Sequence, residues 1–403
     1  MININKYINF MIIGLAFCLP ISKAGIVFFE LLLIILWIIE FNFKYKINEI
    51  LKSKFLIILA VFILFSSASL LWSSNTEFAL LYLKKYWHFL VIPIIYVSLK
   101  YKYVNYIFSA FLIGVLLSEI MFFLIFFELI TYKDVPSSNP SAFMNHSNYS
   151  LFLSMTSMIL LNKIVFSEEL KYKIMYLLYF IVTVCTLFLN GGRTGQIIFI
   201  ILIITMFLMS LKNKFKGLLL SLIIVTSILS LAYNYSPTFN KRATQGINDI
   251  KTTLLEKNYN DSFGQRVSLW IIGANVGMDN LPFGTGIGDE KNGMQHYVLK
   301  YNLERYIGMS DNGYIDYHSM YIQYFVQLGI VGLLVVIYLI YSLSVLKFSS
   351  RYYQNINISF VICIFIFSTV SSMLHIMVAM TFFSFFASMM ISISKIENTN
   401  SPS

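Results

Sequence analysis

Two arginines and a histidine, Arg193, Arg266 and His318, sit in the few polar stretches of this chain, each beside residues that could give it chemistry to do. Arg193 lies in Asn190-Gly191-Gly192-Arg193-Thr194-Gly195. Glycines permit a tight turn and leave backbone N–H groups open, and an arginine there offers a planar fork that suits phosphate oxygens. The same residue would also serve simply to anchor a hairpin to lipid headgroups. Arg266 lies in Gln265-Arg266-Val267-Ser268-Leu269-Trp270, on an amphipathic helix at the membrane surface, where a plain interfacial role is the alternative. Two arginines converging on one pocket suit a pyrophosphate, because a diphosphate leaving group gains charge as its bond to a sugar breaks.

His318 opens His318-Ser319-Met320-Tyr321-Ile322-Gln323, followed by Gln327-Leu328-Gly329-Ile330-Val331-Gly332. Histidine titrates near neutrality and can take a proton from an attacking hydroxyl; a histidine capping a helix is the structural alternative. Gly329 and Gly332 are expected to permit close helix packing. His146-Ser147-Asn148-Tyr149-Ser150 is a fourth polar cluster, equally readable as a helix start capped by Asn145 or Ser147.

Other candidates carry less. His88, His296 and His375 have no comparable company in sequence, and Glu30 and Glu119 are isolated carboxylates within apolar runs. No HExxH, phosphate-binding GxxxxGK[ST] or acidic metal cluster is present. Gly284-Thr285-Gly286-Ile287-Gly288 lacks the lysine and the strand–turn–helix setting of a phosphate loop and reads as a turn cluster. Cys18, Cys185 and Cys363 lie in apolar stretches without metal-ligand spacing and read as small packing residues.

The elements that must position these groups are membrane spans. The chain is 58% apolar and only 12% charged, about half the charged fraction of a soluble domain. A window of about 20 residues predicts helices near 7–22, 24–41, 55–73, 86–99, 104–130, 149–166, 172–190, 195–211, 216–233, 319–346, 356–375 and 377–394. The expected fold is an all-α polytopic integral membrane protein of about 12 spans: a bundle over 1–233, a loop over 234–317 and a C-terminal bundle over 318–403.

Basic residues set the orientation. Lys44, Lys46, Lys52 and Lys54, Lys100 and Lys102, Lys163, Lys171 and Lys173, Lys212, Lys214 and Lys216, Lys347 and Arg351 all fall in alternate gaps, as do Lys6 and Lys395 at the ends. The short gaps between them hold only Lys23, Lys84, Lys85, Lys133 and Arg193. Both termini are therefore expected in the cytoplasm. The net charge of +10 answers anionic lipid rather than nucleic acid. His146, Arg193, Arg266 and His318 all fall on the outer side. The long loop is too long to lack structure. Asp261 to Met278 has helical spacing, with Pro282 just beyond its end, and a further short helix is expected over Gln295 to Tyr306.

Taken together, the motifs resemble those of the O-antigen ligase and O-antigen polymerase superfamily. They are Gly192-Arg193-Thr194-Gly195, Arg266 to Trp270 ahead of Pro282-Phe283-Gly284-Thr285-Gly286, and His318, Tyr321, Gln323 and Gly329 at the loop exit. The likeness is strongest from Asn190 to Leu334; many relatives have Asn where this chain has Ser319. The resemblance implies a GT-C-like membrane glycosyltransferase with one large periplasmic loop. Its donor is a glycan on undecaprenyl pyrophosphate, and it acts at the periplasmic face of the bacterial inner membrane without metal or nucleotide cofactor. It implies Arg193 and Arg266 as pyrophosphate ligands and His318 as the base, with inversion at the anomeric carbon. His146, Tyr149, Tyr321, Gln323 and Trp270 are expected in supporting positions. A ligase, with lipid A-core as acceptor, fits the single late loop. A polymerase joining lipid-linked repeat units is the nearest alternative, and a flippase or transporter is the alternative from another class.

Overall fold

The computed structural model describes residues 4–400 except 134, 142, 291–292 and 301–315. Among the described residues the secondary structure is helical throughout. The first helices are α1 (Ile4–Cys18), α2 (Lys23–Ile39), α3 (Phe43–Leu51), α4 (Lys54–Ala68), α5 (Thr76–Lys85) and α6 (Val91–Ser98). Next come α7 (Val104–Phe126), α8 (His146–Phe166), α9 (Leu170–Leu189), α10 (Arg193–Ser210) and α11 (Lys214–Tyr235). The long loop holds α12 (Pro237–Leu255), α13 (Ser262–Asp279) and α14 (Met294–Lys300), and the chain closes with α15 (Met320–Ser344), α16 (Arg351–Val370) and α17 (Met377–Asn400).

Ten of these segments are long and apolar enough to cross a membrane; α2 and α3, bent by 116°, form an eleventh, and α1 is a shorter apolar helix. The protein is thus a polytopic membrane protein, with the expected segments all helical. The fourth span begins earlier than its apolar run suggests, since helix continues from Thr76 to Ser98 through Lys84 and Lys85. Of the span in α17, 94% is buried, against 17% in α11, which puts α17 at the centre of the bundle and α11 on its lipid-facing rim.

Lipid does not drive apolar helices together, so polar groups and close packing hold the bundle. Asn355 Nδ2 on α16 donates to Asn162 Oδ1 on α8 at 2.9 Å. Glu30 and His88, isolated in sequence, pair inside the bundle at 2.6 Å between Oε2 and Nδ1. Glu119 is fully buried, within hydrogen-bonding reach of Thr183 on α9.

The loop folds over one end of the bundle. Asp261 caps α13, accepting from Phe263 N at 3.0 Å and Gly264 N at 2.6 Å, and it also accepts from Thr252 Oγ1 on α12 at 2.7 Å. Ile272 and Val276 on α13 pack with Met294, Val298, Tyr317 and Val326 in a small core of their own. The second expected loop helix is α14 over its first part; residues 301–306 lie outside the described residues.

The Pro282–Gly288 turn has a structural role. α15 is broken at Gly329, whose φ is +64°. The break frees two helix carbonyls, and the loop supplies their donors: Thr285 N to Val326 O and Gly286 N to Gln327 O, both at 2.9 Å. Gly329 therefore serves a loop spliced into the span. Beyond it, Ser73 Oγ donates to Ile287 O at 2.8 Å and Ser74 Oγ to Asp289 Oδ2 at 2.8 Å, fastening the turn to the end of the third span.

Candidate active site

Arg193 is placed by the close approach of α10 to α8. Gly195 N donates to Ser150 Oγ at 3.1 Å, and Ser154 Oγ donates to Gly195 O at 2.7 Å. A Cβ at Gly195 would overlap the Ser150 backbone, so a larger residue would push the two helix ends apart. The turn is held from outside by Asn139 Oδ1, which accepts from Gly191 N at 2.9 Å. From there the Arg193 side chain runs over α12. Its Nη1 donates to Asp249 Oδ2 at 3.2 Å and would lie 3.3 Å from a Cβ on Gly246.

Helix α12 was not expected from the sequence. Ser236 caps it, accepting from Phe239 N at 3.1 Å, and Pro237 occupies its first turn. That Ser-Pro start is a legible helix signal. Arg242, Gly246 and Asp249 share the face turned to the site, while Ile247 and Leu254, on another face, are exposed.

Arg266 lies near the start of α13, where its Nη1 donates to Ser262 O at 3.0 Å and Ser262 Oγ at 2.9 Å. Its Nε is buried without a hydrogen-bond partner, and so is Nε1 of Trp270 one turn on. Arg266 is within electrostatic reach of Arg193, His146 and His318, and Arg242 is within reach of His146. Burial lowers the Arg266 pKa below the ordinary arginine value and the Arg193 charge lowers it further, while Asp316 and Asp249 oppose this. Arginine stays protonated regardless. Among the described residues the cluster thus gathers three guanidinium charges against two carboxylates, with unpartnered N–H donors, an arrangement that an acceptor-rich anion would relieve.

His318 stands at the edge of this cluster, about half exposed. Its backbone is left-handed, with φ +49°, a conformation uncommon outside glycine and found there most often for asparagine, aspartate and histidine. Asp316 holds it there: Oδ1 accepts from His318 N at 2.8 Å, and Oδ2 lies 4.0 Å from His318 Nδ1. Burial pulls the His318 pKa below the ordinary histidine value, Asp316 pushes it up, and Arg266 pulls it down. Gln323 fixes the residue before, its Oε1 accepting from Tyr317 N at 3.0 Å, and Ser319 caps α15. Asp316 went unread in the sequence, although an aspartate two residues ahead of a histidine is the spacing of an Asx-turn.

The supporting residues divide. His146 belongs to the cluster, behind Asn145, which caps α8 by accepting from Asn148 N at 2.8 Å. Trp270 shares Arg266's helix face, one turn away. Tyr149 does not join them: its bulk fills the bundle interior against Phe122, within reach of Ser118 and Glu119. Tyr321 also turns aside, donating from its hydroxyl to Phe365 O at 3.2 Å on α16. Among the described residues no three His, Cys, Asp or Glu side chains gather as a metal-binding set.

No curated protein matches the chain. A family match covers the stretch from α9 to the middle of α15, which contains Arg193, Arg266 and His318. Residues 178–337 match the family model described as O-antigen ligase.

Proposed function

We propose that the chain is an O-antigen ligase, which moves a glycan from undecaprenyl pyrophosphate to lipid A-core at the periplasmic face of the inner membrane. The observation that carries this reading is the convergence of Arg193 and Arg266, with His318 beside them, at the loop end of the bundle. The two guanidinium groups hold the diphosphate. His318 Nε2 takes the proton of the acceptor hydroxyl, whose oxygen bonds to the anomeric carbon from the face opposite the diphosphate. The sugar–phosphate bond breaks, its electron pair leaves on the phosphate oxygen, and the anomeric configuration inverts. The arginines stabilise that oxygen as its charge develops, and the reading uses no nucleotide or metal.

The same chemistry would serve a polymerase. The ligase is favoured because α12, α13 and α14 gather in one late loop, while the connection from α7 to α8 is short. The deciding experiment is the glycan profile of a deletion strain. A ligase leaves lipid A-core bare while lipid-linked polymer accumulates on the periplasmic face. Accumulation of single repeat units would instead assign the polymerase, and trapping of the lipid-linked glycan on the cytoplasmic face would assign a flippase.

A further inference from the structure

Asp316 joins His318 to the C-terminal bundle. One carboxylate oxygen, Oδ1, accepts from His318 N at 2.8 Å and from Ser372 Oγ, in the turn between α16 and α17, at 2.5 Å. The other, Oδ2, faces the imidazole at 4.0 Å from Nδ1. The carboxylate is mostly buried, while the imidazole it faces is about half exposed. Among the described residues, the charged and titratable groups around the pair are Arg266 on α13, Lys85 on α5 and His375 in the turn that also carries Ser372. Lys85 is anchored in that same turn, donating to His375 O at 3.2 Å. Asp316 is therefore held from two sides with one oxygen left to the histidine.

We propose that Asp316 is the positioning residue of His318: Oδ1 sets the backbone that aims the ring, and Oδ2 receives the imidazolium formed when the ring takes a proton. This rests on the reading of His318 as the base. With Nδ1 turned to Asp316, Nε2 is the nitrogen left to face the acceptor. The carboxylate also offsets the repulsion between Arg266 and the imidazolium, which would otherwise oppose proton transfer beside the diphosphate site. The left-handed backbone of His318 is then part of the device, since the short Asx-turn brings a ring and a carboxylate two residues apart in sequence onto the same side.

Asp316→Asn tests this because its amide oxygen can still accept from His318 N while the charge is gone. The full-length protein in lipid nanodiscs is treated with diethyl pyrocarbonate across a pH series, and modification of the His318 peptide is followed by mass spectrometry. The midpoint is expected to fall by roughly 0.5–1 unit in Asp316→Asn, an opposite charge at a half-exposed site having been removed, while that of His146 stays in place. An unmoved His318 midpoint overturns the proposal. Ser372→Ala releases the same carboxylate from its tether; if Asp316→Asn is not recovered folded, an unmoved midpoint in Ser372→Ala overturns it instead. Transfer is then assayed with lipid-linked glycan and lipid A-core isolated from the deletion strain. Asp316→Asn is expected to lower kcat at least about 10-fold with KM for the donor little changed. If His318→Gln is inactive and Asp316→Asn transfers at the wild-type rate, the positioning role alone falls. If His318→Gln transfers at the wild-type rate, the base assignment falls and this proposal with it.

Discussion

The Pro282 carbonyl lies directly against Gly329, at the point where α15 breaks. That contact joins two segments the candidate site needs. α13 carries Arg266 and leads into the Pro282–Gly288 turn, and the start of α15 follows His318. The backbone bonds from Thr285 and Gly286 to the broken helix hold the two together. The first prediction concerns this splice. Gly329→Ala would place a Cβ on the Pro282 carbonyl and force a side chain into a positive-φ backbone. The expected cost is about 1–3 kcal/mol, read as a lower unfolding temperature in detergent, with transfer reduced in proportion to the loss of folded protein. An unchanged unfolding temperature would show that the loop is not locked into the span.

Among the described residues the Arg193 guanidinium, a planar group of five N–H donors, makes one hydrogen bond, to Asp249. Arg193→Lys keeps the charge and loses the fork. A hydrogen bond to a charged group contributes about 1.5–3 kcal/mol, so kcat/KM for the lipid-linked donor should fall roughly 10- to 100-fold. Initial rates at varied donor concentration measure this. An undiminished kcat/KM would assign Arg193 to lipid anchoring instead.

The spans and the gathering of Arg193, Arg266, His146 and His318 were legible because a bilayer demands long apolar runs, and those runs bring distant residues to one end. α13 was legible from Asp261 and the spacing of Phe263, Val267, Trp270 and Ile271. α12 was not: Ile247 and Leu254 are exposed, so no buried stripe repeats along it, and only Ser236-Pro237 marks its start. Tyr149 follows His146 by less than a turn yet faces the interior, because the bundle needed its ring more than the surface did. Gly329 reads as a packing glycine until the donors that replace its helix bonds are seen, and those come from some 40 residues earlier. The tether on Asp316 comes from Ser372, 56 residues later. Such long-range partners leave no local pattern.

As the proposed base, His318 must be neutral to accept a proton, so activity is expected to be lost as pH falls through its pKa. Burial and Arg266 place that pKa below the ordinary histidine value, against the pull of Asp316. The acid limb of kcat/KM should therefore lie below about pH 6.5, with a plateau through neutrality. Arg266→Gln removes a repelling cation: its acid limb should move to higher pH even as donor use weakens. His318→Ala should lower the rate by about 100- to 10,000-fold and leave donor binding intact. An acid limb of unchanged position in Arg266→Gln would separate the two residues and remove His318 from the diphosphate site.

Glu290 gives the fold its own pH dependence. It is fully buried beneath the loop and hydrogen-bonded to Gln327 Nε2. Burial raises its pKa from 4.5 to about 7, against the hydrogen bonds from the backbone, Gln327 and Tyr82 that lower it. The unfolded chain loses this proton near the ordinary carboxylate value, while the folded chain keeps it until about pH 7. Between those values the native state binds more protons, so stability falls as pH rises, by about 3 kcal/mol across the window, and levels off above it. Glu290→Gln keeps an acceptor for Gln327 and cannot ionise. Its unfolding temperature should be nearly flat from pH 5 to pH 8 and exceed that of the wild type at the alkaline end. A wild-type unfolding temperature that rises with pH over this range would mean that Glu290 is ionised in the folded protein and stabilised by a charge partner.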